Sequence, residues 1–155
     1  MGKTRATNPK NAPYRWIDHL DRDHRSYQHF DGWRRGLPTV LADDVLAQIE
    51  AREELAAAGR LTKGSTKFVE PVREFPGLVE LKWDFFEEKT RKKRDVRQYH
   101  GEPAEPSDAL VRVHLHVKRT FGLLPRAIQA FQRKEFRAAN ARFDDWCKGN
   151  TSARR

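Results

Sequence analysis

The sequence predicts an α+β fold: an antiparallel sheet of three or more strands, helices packed on one of its faces, and a C-terminal helix. Three observations predict it. Val111-Arg112-Val113-His114-Leu115-His116-Val117-Lys118 alternates apolar and polar residues without an error, the period of a strand with one buried face. Leu78 to Phe85 alternates in the same way, with Val79, Leu81, Trp83 and Phe85 on one side and Glu80, Lys82 and Asp84 on the other. Apolar stripes of helical period flank this strand region on both sides. Consecutive strands with short links pair antiparallel, and helices cover the apolar face.

Taken in order, residues 1–13 are basic, polar and interrupted by Pro9 and Pro13, which predicts a loose arm. Residues 14–38 mix Tyr14, Trp16, Tyr27, Phe30 and Trp33 with arginines, and residues 1–38 together read as a basic aromatic extension. Its aromatics can stack on bases or pin the segment onto the main domain. His19, His24 and His29 recur every five residues, a spacing that fits neither helix nor strand and predicts no metal site. Thr39 to Ala58 reads as a helix, with Leu41, Val45, Leu46, Ile49 and Ala56 as its stripe, Asp43 and Asp44 near its start and Gly59 as its stop. A connector through Gly64 and Pro71, with room for a short helix, leads to the Pro76-Gly77 turn and the first strand.

Glu87 to Arg94 reads as a charged hairpin tip, and a second strand runs from about Asp95 to Gly101. Either Arg97 and Tyr99 or Gln98 and His100 share the exposed face, a choice that one bulge reverses. The strand at Val111–Lys118 comes third. Pro125 to Trp146 is the last helix, with Ile128, Phe131, Ala139, Phe143 and Trp146 inward and Arg126, Arg133, Lys134, Arg137 and Arg142 outward, and residues 148–155 form a polar tail.

The 155 residues carry a net charge of +9, which favours a polyanionic partner, nucleic acid before membrane. Cys147 is the single cysteine, so neither an internal disulfide nor a thiolate metal cluster can form. The polar start and the absence of a long apolar run predict a cytoplasmic protein that does not span a membrane.

The predicted row Arg112-His114-His116-Lys118 points to chemistry on RNA. Metal-independent cleavage needs a base for the 2′-hydroxyl proton, cations for the phosphorane charge and a donor for the leaving oxygen. His114 and His116, roughly 7 Å apart by strand rise, can bracket a phosphate. Arg97, Arg112, Lys118 and Arg119 are candidate clamps, with Lys82 on the neighbouring strand, and Tyr99 can stack on a base or supply a hydroxyl. Arg91, Lys92 and Lys93 of the hairpin, and Arg133 and Lys134 of the last helix, are candidate RNA-binding cations or simply solvated faces. The plainer reading of the histidines is a solvated sheet face. No cofactor is expected, and no third ligand supports zinc on His114 and His116.

Three segments together resemble the RelE/ParE superfamily of bacterial toxins, its HigB-like and phage-derived members in particular. They are Gly77-Leu78-Val79-Glu80-Leu81-Lys82, Val96-Arg97-Gln98-Tyr99-His100, and His114-Leu115-His116-Val117-Lys118-Arg119-Thr120 with Pro125. The resemblance spans roughly residues 39–146, within a domain read as 39–147, and departs at His116, where the family usually has Phe. It implies a sheet flanked by helices and a metal-free endoribonuclease toxin cleaving messenger RNA, often on the ribosome; the chemistry of the row itself makes His114, His116, Arg97, Lys118 and Tyr99 the candidate catalytic residues. The resemblance also implies neutralisation by an antitoxin protein. A non-catalytic member of the same fold, binding nucleic acid or inhibiting a host protein, is the alternative, since fold does not fix function.

Overall fold

The computed structural model describes residues 4–61, 68–118, 120 and 122–150. Strand β1 (Arg15–Asp18) leads into helices α1 (Arg25–Arg35) and α2 (Thr39–Ala57). Strands β2 (Val69–Pro71), β3 (Leu78–Glu87), β4 (Lys92–Gly101) and β5 (Ala109–Val117) follow, and then helix α3 (Pro125–Gly149). The strands form one sheet in the order β1-β5-β4-β3-β2. Strands β2 to β5 pair antiparallel, while β1 lies parallel to β5. The α+β class, the β3-β4-β5 meander and the C-terminal helix agree with the sequence reading. Gly77 makes the predicted turn into β3 at φ +85°, where a side chain would be strained.

The sheet is covered on both faces, which corrects the expectation of one open face. On one side Val79, Leu81, Trp83, Phe85, Val96, Leu115 and Val117 pack against Phe30 of α1 and against Val45, Ile49 and Ala56 of α2. On the other, Leu78, Tyr99, Ala109, Val111 and Val113 pack against Ala139, Phe143 and Trp146 of α3. Fully burying an aliphatic or Phe side chain stabilises by ~1.5–3 kcal/mol, so both layers contribute to holding the sheet. The fit under α3 is close: a Cβ on Gly101 would lie 2.1 Å from the Phe143 ring.

A β-bulge in β5 makes this double covering possible. His116 pairs with Arg97 and His114 with Tyr99, but His100 pairs with Arg112, leaving Val113 as an extra residue. The sequence reading of one unbroken alternation is therefore wrong at this point. Leu115 and Val117 face α1 and α2, whereas Val113 and Val111 turn toward α3 beside His114 and His116.

Residues 4–38 belong to the fold. The Arg5 guanidinium donates to the carbonyls of Ala109 (2.7 Å) and Pro103, and Ala6 is buried. The Tyr14 hydroxyl donates to the Asn8 carbonyl at 2.7 Å. Trp16, Tyr27 and Trp33 pack on the core, so the pinning alternative describes the aromatics. The connector position Gly64 lies outside the described residues.

Candidate functional site

Strands β4 and β5 place Arg97, Tyr99, His114 and His116 on the face covered by α3, resolving the parity in favour of Arg97 and Tyr99. There they form a chain of buried polar groups. The Tyr99 hydroxyl lies 3.2 Å from Glu80 Oε1, to which it donates, and 3.2 Å from His116 Nε2. The Tyr99 and His116 rings stack at 5.6 Å, and the His114 and His116 centroids are also 5.6 Å apart. His114 Nε2 hydrogen-bonds Glu135 of α3, and His116 Nδ1 lies 3.9 Å from the same carboxylate oxygen. Ser26 Oγ donates to the other Glu135 oxygen at 3.0 Å. His24, the N-cap of α1, meets the His114 ring edge-on at 5.2 Å.

Arg97 is held within the protein rather than offered to a ligand. Its guanidinium donates to the carbonyls of Trp83 and Val96 (3.2 and 3.0 Å) and lies 3.5–3.8 Å from Glu80, Asp84 and Asp95. Lys82 binds Glu70 at 2.6 Å and approaches Glu80 at 3.9 Å. Arg112, predicted in the same row as the histidines, is on the opposite face because of the bulge. There it pairs with Glu53 of α2 and lies over the Trp16 ring at 4.8 Å.

Burial sets the protonation of this chain. It pulls His116 down to about 3, against the attraction of Glu135, so the ring is neutral at neutral pH. Burial also lifts Tyr99 well above 10 and pushes Glu80 up, the latter against Lys82 and Arg97. For Glu135 burial again works toward the neutral acid, but the His114 hydrogen bond and the nearby imidazoles win and hold the carboxyl at about 2. With both histidines buried, the pair is not the open catalytic row expected from alternation. A base whose conjugate acid titrates so low abstracts protons poorly.

An open, basic region adjoins the buried chain. A cleft of about 740 Å³ is lined by His29, Arg91, Lys92, Lys93, Arg94, Val117, Lys118, Thr120, Gly122, Leu123 and Phe131. Lys93 and Arg94 are steadied by Asp84, Asp95 and Glu87. Arg91 occupies the turn at φ +52° and is exposed. A smaller cavity of about 30 Å³, large enough for a water molecule, lies between Arg25, Ser26, His116, Lys118, Gln132 and Glu135. His29, Val117, Lys118 and Phe131 border both spaces, so they adjoin.

No protein-family model, curated protein or solved structure matches the chain.

Of the predicted residues, His116 and Lys118 meet at the small cavity, and Lys118 joins Arg91, Lys92 and Lys93 at the cleft. Arg133 and Lys134 are exposed on α3, with the Lys134 ammonium 5.8 Å from the Phe131 ring. Arg119 lies outside the described residues. Sequence reasoning missed Glu135, Glu80 and Ser26. Glu135 did carry a signal: it is the one acid between Arg126 and Arg142 and falls on the apolar stripe of Ile128, Phe131 and Ala139. A charge on a buried stripe calls for a partner.

Proposed function

We propose that this protein is a cytoplasmic RNA-binding protein whose ligand lies in the cleft between the β3–β4 hairpin and the first turns of α3. The observation that carries this reading is the convergence of Arg91, Lys92, Lys93, Arg94 and Lys118 on one concave surface that also presents Phe131 and Leu123. Cations hold phosphates, and an aromatic face takes an unstacked base, the combination that suits single-stranded RNA. The net charge of +9 supports long-range attraction of such a ligand. Fluorescence anisotropy of a labelled single-stranded RNA tests it. Binding is expected to weaken steeply with salt and to drop when Arg91, Lys92 and Lys118 are changed to Gln. Salt-independent binding, or binding untouched by these changes, contradicts it.

The second reading is a metal-independent endoribonuclease toxin acting on messenger RNA at the ribosome and restrained by an antitoxin, as the RelE/ParE-like motifs imply. It is favoured by one observation: His116 reaches the wall of the cavity beside the cleft. The sheet flanked by helices is compatible with it. Mapping of 5′ ends in a cell-free translation reaction separates the two. New ends with wild type and not with His116→Ala would support cleavage, whereas intact message with retained RNA binding supports binding alone.

A further inference from the structure

The half-buried carboxylate of Glu135 occupies a position that the surrounding groups make suitable for an anion. Ser26 donates to it from the first turn of α1, an 11-residue helix whose N-terminal end carries partial positive charge. His114 hydrogen-bonds it from β5, and His116 lies 3.9 Å away. Arg25 and Lys118 line the adjoining cavity. Apart from Glu135, the polar side chains gathered here are donors or cations, with Gln132 and the His116 ring able to serve either way.

Glu135 is also less sealed than the two imidazoles beside it. Its side chain is 18% exposed, against 3% and 5% for those of His114 and His116. The cavity beside it gives the carboxylate space to turn, and that cavity adjoins the basic cleft. A phosphate oxygen entering from the cleft would meet Lys118 first and then the donors that now hold Glu135.

We propose that Glu135 is the internal occupant of a phosphate site, and that a backbone phosphate of RNA displaces its carboxylate from Ser26 and His114, beside His116. This inference rests on RNA lying in the cleft, as proposed above. It adds a specific anchoring point, and it makes Glu135 a competitor that keeps phosphate affinity low in the wild-type protein. The exchange needs no covalent step: one anion leaves the donors and another takes them.

The test uses the full chain and inorganic phosphate as probe, followed through the imidazole signals of His114 and His116 by NMR. Glu135→Gln keeps the side chain's shape and an oxygen for Ser26 while removing the competing charge. It is expected to bind phosphate at least tenfold more tightly than wild type, with both imidazole signals shifting on titration. Adding Lys118→Gln to that variant is expected to reverse most of the gain. Equal phosphate affinity in wild type and Glu135→Gln, or tighter binding that leaves both imidazoles unmoved, would overturn the inference. Should Glu135→Gln fail to fold by circular dichroism, Arg25→Gln in the wild-type background takes its place. Arg25 is exposed, and weaker phosphate binding is expected from its loss, while an unchanged affinity overturns the site. RNA anisotropy on the same proteins separates the failures. RNA binding retained without phosphate exchange sinks this inference alone, and absent RNA binding by wild type sinks the cleft reading.

Discussion

The β3–β4 hairpin and the middle of β5 are both rich in groups that bind phosphate, and they are used in opposite ways. Along the buried strands each polar side chain is answered by another: Arg97 by Glu80, Asp84 and Asp95, Tyr99 by Glu80, and His114 by Glu135. On the hairpin, Lys93 is 62% exposed even while it pairs with two aspartates, and Arg91 stands in solvent at the turn. The residue types are alike but the burial is not. Groups taken out of water must be partnered by the protein and become structure, whereas exposed cations keep their charge available to a ligand at little folding cost. The histidines that looked most catalytic in the sequence therefore belong mainly to the core. The hairpin cations, which the sequence left between an RNA-binding role and a solvated face, carry the functional reading.

Removing a partner from the buried chain should have the largest effect. Glu135→Ala leaves Ser26 and His114 without their acceptor and is expected to cost about 3–5 kcal/mol of unfolding free energy in a denaturant titration. A loss below about 1 kcal/mol would mean the carboxylate is not a structural partner. Acid should act on the same region. The pKa of His116 is depressed from 6.5 to about 3, so the unfolded chain binds its proton first and stability falls as pH drops below 6.5. Glu135, lowered from 4.5 to about 2, adds a second loss in the same direction below 4.5. Glu80 is raised and works the other way, but the loss at Glu135 remains, so His116→Gln should flatten the upper part of the acid limb rather than abolish it. A denaturant midpoint independent of pH across that window would contradict the assignment. Next in size, Tyr99→Phe strips one hydroxyl from between Glu80 and His116 and should cost about 1–3 kcal/mol without changing RNA affinity. The smallest effect on stability belongs to the hairpin. Arg91→Gln with Lys92→Gln should stay within about 0.5 kcal/mol of wild type. The same pair should reduce the salt dependence of RNA binding by about one unit of log–log slope per residue.

Strands β3 and β5 were legible in the sequence because each has a run of period two, β4 because it lies between a charged hairpin tip and the loop after Gly101, and α2 and α3 because their apolar stripes are long. The bulge at Val113 was not, since nothing in a perfect alternation announces a change of face. It follows from the presence of two cores: Val111 and Val113 are needed under Phe143, and Leu115 and Val117 under α1 and α2. Strand β1 escaped notice because four residues are too short for a pattern, and its parallel partner begins at Ala109. Helix α1 was hidden by Gly32 and by aromatics in a charged background. The cations of the cleft could be named individually, but that they share one concavity with Phe131 depends on how the hairpin and α3 pack.

In the proposed complex RNA sits against the hairpin and the start of α3 while the β5 histidines remain beneath it. Ultraviolet crosslinking of a bound single-stranded RNA, followed by peptide mass spectrometry, tests this most directly. Adducts on residues 91–94 and on Phe131 are expected, with His114 unmodified. Adducts concentrated on α2 or on the Arg112 side of the sheet would contradict it.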